Sequence, residues 1–437
     1  MVAYRRIKRD MKHDQWWKNA VIYETYVDKF AGNFKNFENK LDYLEDLGVD
    51  CIHVLPFFPS PGADDGYDIT NYTDIRSELG TLKDAESFIK FASGRGIRII
   101  IDLVLNHTSV HHPWFQEASS SAKNPKRNFY IWSKDGKEYA DAYNPFSNFK
   151  EKNWVLDPVS GQYYYTTFLP EQADLNWNNP EVEKEILKII DFWANMGVSG
   201  FRLDATSYLI KKEGTSGRHL PETHAILRRL RAHTDAINSE IMLLAEVHAS
   251  LETVSAYFGD GDSGNECHMA YNFPFMHQVF LALARNDHSY LNSFIRTLPQ
   301  IPDSSQWATF ITSHDEITFT TMDAPERKEV LAFLSLENKS AFKQGKSISL
   351  RLASALKEDR DKIIKAYGML LGSPGSPVIY YGEEIGMTNL NTAKPLRDTR
   401  RYLRGPFDWT KAESQIKDPN SILNTVKQLI RERIKNK

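Results

Sequence analysis

Gly200-Phe201-Arg202-Leu203-Asp204-Ala205-Thr206-Ser207-Tyr208 decides how the rest of the chain is read. Phe201 to Leu203 has the character of a short buried strand. Side chains at i and i+2 of a strand share a face, so Arg202 and Asp204 arrive side by side at its C-terminal end. A nearby cation favours an ionised carboxylate, and the spacing therefore predicts an Asp204 that is charged at neutral pH. Such a carboxylate can attack a sugar, or it can be half of a structural ion pair beneath a loop. The flanking sequence has to separate the two readings.

Upstream, Val21 to Val27, Cys51 to Leu55 and Ile97 to Leu105 read as strands. The last is a continuous apolar run, the mark of a parallel strand buried on both faces. Helices are predicted between them, at Asn36 to Gly48 and Thr81 to Ser93, the second with Thr81 as cap and Asp84 three residues on. Downstream, helices are predicted at Pro180 to Met196, Pro221 to Ile237, Met276 to Ala284, Asp359 to Leu371 and Ile422 to Ile434. Further strands fall at Ile241 to Ala245, near His268 to Phe273, at Ala308 to Thr312 and at Pro377 to Tyr381. Eight strands with intervening helices imply an α/β fold, a (β/α)8 TIM barrel. Residues 109–172 break the alternation: they are rich in Trp, Tyr, Asn, Pro and Lys and lack a helical period. They are expected to be an inserted subdomain after strand 3, with 1–108 and 173–437 forming the barrel. Leu331 to Ser349, polar and lysine-rich, is expected to be a mobile flap.

Composition excludes several classes. With 54 basic and 57 acidic side chains the net charge is -3, which gives no basic footprint for nucleic acid. No stretch of about 18 apolar residues suggests a membrane span. Met1 to Trp17 is basic and polar and does not read as a signal peptide, so a cytoplasmic location is expected. Cys51 and Cys267 sit in apolar, strand-like stretches and are expected to be buried free thiols.

In a barrel of this kind chemistry sits at the C-terminal strand ends. Tyr67 and Asp68 follow strand 2, Asp102, Asn106 and His107 lie at strand 3, Glu246 and His248 at strand 5, and His314, Asp315 and Glu316 at strand 7. Asp204, Glu246 and Asp315 are therefore expected around one mouth. Retaining glycoside chemistry needs two carboxyl groups roughly 5–5.5 Å apart, one a nucleophile and one an acid/base. Asp204, beside Arg202, is the low-pKa candidate. Glu246 follows an apolar run with no adjacent cation in sequence and is expected to hold its proton better.

Asp102-Leu103-Val104-Leu105-Asn106-His107, Gly200 to Asp204, Ala245-Glu246-Val247-His248 and Ser313-His314-Asp315-Glu316 resemble the four signature segments of the α-amylase superfamily, glycoside hydrolase family 13. Gln172-Ala173-Asp174-Leu175-Asn176 resembles its fifth. The resemblance implies Asp204 as nucleophile, Glu246 as acid/base and Asp315 as transition-state stabiliser. It implies that Tyr67, Asp68, His107, Arg202 and His314 line the glucose subsite, with an arginine after strand 8, Arg401 by preference over Arg400, paired to the aspartate of Tyr67-Asp68. It also implies a structural Ca2+ held by Asn106, Asp174, the carbonyl of Tyr208 and, in addition, Leu209, oxygen donors that suit a hard cation.

Within the family the likeness is nearest to the trehalose synthase, or maltose–trehalose glucosylmutase, branch. It is carried by Asp64 to Ile69, Leu220 to His224 and the stretches Tyr257 to Asp262 and Glu266 to Ala270. The β-sandwich tail of that branch is absent from this sequence, and Ser313 departs from the usual start of the fourth segment. The implied substrates are short α-glucosides such as maltose or trehalose, processed by transglucosylation, isomerisation or hydrolysis. The rival readings are a sucrose-phosphorylase-like transfer to phosphate and a truncated, non-catalytic relative.

Overall fold

The computed structural model describes residues 15–334, 341–342 and 346–436. Eight strands close into a parallel barrel: β1 (Ile22–Thr25), β2 (Cys51–Val54), β3 (Arg98–Val104) and β4 (Gly200–Asp204), then β5 (Met242–Ala245), β6 (Met269–Tyr271), β7 (Gln306–Thr309) and β8 (Ser376–Tyr380). Each strand pairs with its neighbours in sequence, and β8 returns to β1. Helices such as Pro180–Asn195 and Pro221–Ile237 pack their apolar stripes on the outside. Thr81 and Asp84 form the reciprocal capping box expected of them.

Register places the chemistry. Asp102 of β3 is paired with Arg202 of β4, and Val104 with Asp204. On the other side of β4, Leu203 is paired with Ala245, so Glu246 emerges one residue beyond. Gly200 opens β4 because a Cβ there would lie 2.4 Å from the Met242 carbonyl oxygen. A larger residue would push β5 away and shift both acids.

The region between β3 and β4 holds a helix, Pro113–Ser120, and a small antiparallel sheet of Trp132–Ser133, Tyr163–Tyr165 and Trp154–Leu156. His107–Ser109 pairs antiparallel with Gln172–Asp174 at its base. After β7 come a three-stranded sheet, Ile317–Thr318, Ser347–Ile348 and Ala341–Phe342, and a helix, Ala324–Phe333. The expected flap, Leu331 to Ser349, falls partly on residues 335–340 and 343–345, outside the described residues.

Expected boundaries differ in detail at several elements. The helix expected at Asn36 to Gly48 is two, Phe34–Glu38 and Leu41–Leu47, with Gly48 ending the second in a left-handed conformation. The strand expected at Ala308 to Thr312 begins two residues earlier, at Gln306. That near His268 to Phe273 is only Met269–Tyr271. Cys51 and Cys267 are buried and free. Among the described residues no helix is long and apolar enough to cross a membrane.

Candidate active site

β4 delivers Arg202, 2% exposed, and Asp204 to the barrel mouth. Ala205 then adopts a left-handed conformation, φ 49°, that a side chain with a Cβ tolerates poorly. Its amide, in this tight turn, donates to Glu246 Oε2 at 2.9 Å. Arg202 works as a fork. Nη1 donates to Asp204 Oδ1 at 2.6 Å and to Asp102 Oδ1 at 2.5 Å, and Nη2 lies 3.0 Å from Glu246 Oε2. His248 Nε2 is 3.3 Å from the other Glu246 oxygen.

These contacts reverse the expected electrostatic order. Glu246 has two basic neighbours that sequence adjacency did not reveal. Burial alone would raise its pKa, but Arg202 and His248 outweigh that and hold it at about 2. Burial pushes Asp204 up, Arg202 opposes, and the charges of Glu246 and Asp102 add to the rise. The two acids share Arg202 and titrate as a pair.

Asp315 completes the group. Arg404 Nη2 lies 2.9 Å and Arg400 Nη1 3.3 Å from its Oδ1, and His314 Nε2 lies 3.4 Å from its Oδ2. Burial is overcome by His314, Arg400 and Arg404, which hold Asp315 well below the usual carboxylate range. Tyr67 stacks on His314, and its hydroxyl is 2.7 Å from His314 Nε2. His107 Nε2 lies 3.0 Å from Gln172 Nε2, and burial pushes the ring down to about 4, leaving it neutral.

Tyr67, His107, Asp204, Glu246, Asp315 and Arg400 line one narrow cavity of about 90 Å3, with Phe146 and Phe168 on its wall. A larger groove of about 510 Å3 near Leu251, Pro274 and Met322 contains none of the three acids.

Of the residues expected to line the sugar site, Arg202 and His314 stand behind the cavity wall, bonded to the acids that form it, and Asp68 and Arg401 fall elsewhere. Asp68 faces its own loop, where its oxygens accept from Ser60 Oγ at 2.7 Å and the amides of Ala63 and Asp64 at 2.9 and 3.1 Å. Asp64 takes the place in the cavity, with Arg400 Nη2 at 2.6 Å and Gln172 Nε2 at 3.1 Å. The arginine is thus Arg400, not Arg401. In the tight helix Thr399–Leu403 adjacent side chains point apart. Asp398 grips Arg400 and turns it inward, while Arg401 Nη2 donates outward to the Gly62 carbonyl at 2.8 Å. Arg404, to which the sequence assigns no role, also donates to the His314 carbonyl at 3.0 Å and pairs with Asp65 at 2.7 Å.

The expected calcium donors do converge, but on a lysine. Lys211 Nζ lies 2.7 Å from Asn106 Oδ1, 2.6 Å from Asp174 Oδ2 and 2.5 Å from the Tyr208 carbonyl. Asp174 also accepts from the Thr167 amide and hydroxyl at 2.8 and 2.5 Å. Leu209 packs in the apolar core. Residues whose oxygens already surround an ammonium do not fit a divalent ion. A lysine three residues after Tyr208, directly after the apolar Leu209-Ile210, was the available signal.

A closed parallel barrel with acids at the C-terminal side of β4, β5 and β7 defines a class of enzyme scaffold. Residues 8–343 match the alpha-amylase catalytic-domain family. The chain is 41% identical over 403 residues to a trehalose synthase/amylase of Mycolicibacterium smegmatis, covering 90% of this chain and 67% of that one. It is 42% identical over 404 residues to a trehalose synthase of Thermus thermophilus, covering 91% of this chain and 41% of that one. Among solved structures, the isomaltulose synthase of Klebsiella sp. LX3 superposes with a TM-score of 0.75 at 26% identity, covering 97% of this chain and 84% of that one. The chain belongs to the alpha-amylase family, glycoside hydrolase family 13.

Proposed function

We propose that the protein is a retaining enzyme acting on short α-glucosides such as maltose or trehalose. The observation that carries this reading is the fork of Arg202, which holds Asp204 and Glu246 together on one guanidinium opposite Asp315. Retaining chemistry calls for two neighbouring carboxyl groups, one to attack and one to exchange a proton. Asp204 attacks the anomeric carbon as the bond to the leaving oxygen breaks, and Glu246 gives its proton to that oxygen. An acceptor hydroxyl then loses its proton to Glu246 and displaces Asp204 from the same carbon. Asp315, kept ionised by Arg400, Arg404 and His314, grips sugar hydroxyls.

For the first step Glu246 has to hold a proton. Turning the Glu246 side chain toward a glycosidic oxygen takes it away from Arg202 and the Ala205 amide, the contacts that favour its ionised form. Arg202 is then left to Asp204 and Asp102. The matched trehalose synthases support a disaccharide substrate and a glucose acceptor. In this reading Lys211 does the work expected of calcium, tying the inserted region at Asp174 to the barrel at Asn106.

Incubation with maltose, sucrose and trehalose, with and without phosphate, tests the reading. Trehalose or glucose from maltose is expected, and Asp204→Asn and Glu246→Gln should abolish both products. Glucose 1-phosphate as the main product would instead support phosphorolysis, and undiminished turnover in either variant would remove the assignment.

A further inference from the structure

The chemistry above leaves two buried polar groups, Glu24 and His53, unused. Glu24 of β1 is paired in register with His53 of β2. Glu24 Oε1 accepts from the His314 amide at 2.9 Å and lies 3.0 Å from His314 Nδ1. Its Oε2 lies 3.3 Å from His53 Nδ1, an ion-pair contact. His53 Nε2 lies 2.9 Å from Asp102 Oδ2, and Asp102 Oδ1 accepts from Arg202 Nη1. From His314 to Arg202 every member is 3% exposed or less.

His53 Nε2 is hydrogen-bonded to Asp102, and Nδ1 lies within ion-pair distance of Glu24 without hydrogen-bond geometry. A protonated ring is the form that two flanking carboxylates favour. Burial opposes this charge, but Asp102 and then Glu24 outweigh it. The imidazole of His53 thus sits between the carboxyl groups of Glu24 and Asp102, and the Arg202 guanidinium follows beyond Asp102. Apolar residues would fill the barrel more cheaply than a buried ionic chain. Such a departure from the economical core is expected where function requires it.

We propose that Glu24 and His53 are positioning residues: through Asp102 they fix the Arg202 fork between Asp204 and Glu246, and through Glu24 they fix His314 against Tyr67 and Asp315. One chain of contacts would then set both sides of the sugar site. The inference rests on the catalytic reading above. Around His53 the charged or titratable neighbours are Glu24 and Asp102, then Arg202 beyond Asp102, with His314 and Tyr271, its hydroxyl 3.4 Å from Glu24 Oε2, beyond Glu24.

The test is the pH dependence of kcat and KM for maltose and 4-nitrophenyl α-glucoside in His53→Gln, Glu24→Gln and the double variant. Active sites are counted by covalent trapping so that folded protein alone is scored. Without the imidazolium, Asp102 draws more on Arg202, and Arg202 holds Asp204 and Glu246 less well. His53→Gln is expected to lower kcat at least about tenfold with KM within about threefold, and to move the acidic limb of kcat/KM up by about one pH unit. Glu24→Gln should do the same more weakly, and the double variant should lose no more than the worse single, as for members of one chain. Unchanged limbs, or losses that add, would overturn the proposal, and so would failure of both single variants to fold, which would make the chain a stability device. Asp204→Asn is run alongside. If it is inactive while the limbs do not move, this inference alone fails; if it is active, the catalytic reading fails first.

Discussion

Two neighbouring arginines carry opposite expectations. Arg400 bonds Asp64, Asp398 and Asp315 inside the cavity, whereas Arg401 is 41% exposed and holds loop carbonyls. Arg400→Ala should lower kcat/KM about 100-fold or more, because it leaves buried carboxylates unpaired. Arg401→Ala should stay within about threefold. Steady-state rates on maltose distinguish them, and equal losses would contradict the placement. At this scale the sequence revealed residue types better than partners. Asp204, Glu246 and Asp315 were legible because each follows an apolar strand. The choice between Asp64 and Asp68 was not, since it depends on which side chain a loop turns back on its own amides. The protonation order was misread for a similar reason: the cation that depresses Glu246 comes from the neighbouring strand, through register and not through adjacency in sequence.

At the scale of elements, Lys211 joins Asn106 after β3, Asp174 at the base of the insertion and Tyr208 after β4. Lys211→Ala would leave Asp174 as an uncompensated buried charge, a loss of about 3–5 kcal/mol. Chemical denaturation should show it, and wild-type activity should be unmoved by a chelator. Loss of activity on chelation, restored by calcium, would contradict the lysine reading. Element type was legible throughout the barrel, most clearly in the buried run of β3. Boundaries were less so. The apolar face of Phe37, Leu41, Leu44 and Leu47 continues across the break at Asn39–Lys40, so periodicity reads one helix where there are two. Phe310 and Ile311 are buried beyond the end of β7, which drew the expected strand forward.

At the scale of the molecule, the barrel closes around charge, and stability should report it. His53 is held at about 9 against an ordinary 6.5, burial notwithstanding, by Asp102 and Glu24. A raised pKa in the folded state means stability that is fully present below about 6.5 and lost as pH rises through about 9, of order 3 kcal/mol. The melting temperature of the wild type should fall over this window more than that of His53→Gln; parallel curves would show that His53 is not charged in the fold. The central claim is that one carboxylate of the barrel mouth bonds covalently to glucose. Mass spectrometry of tryptic peptides after reaction with 5-fluoro-α-glucosyl fluoride tests it most directly. The expected result is a fluoroglucosyl ester on Asp204, in the peptide from Leu203 to Lys211. Turnover with no ester, or an ester on Glu246 or Asp315, would contradict the account.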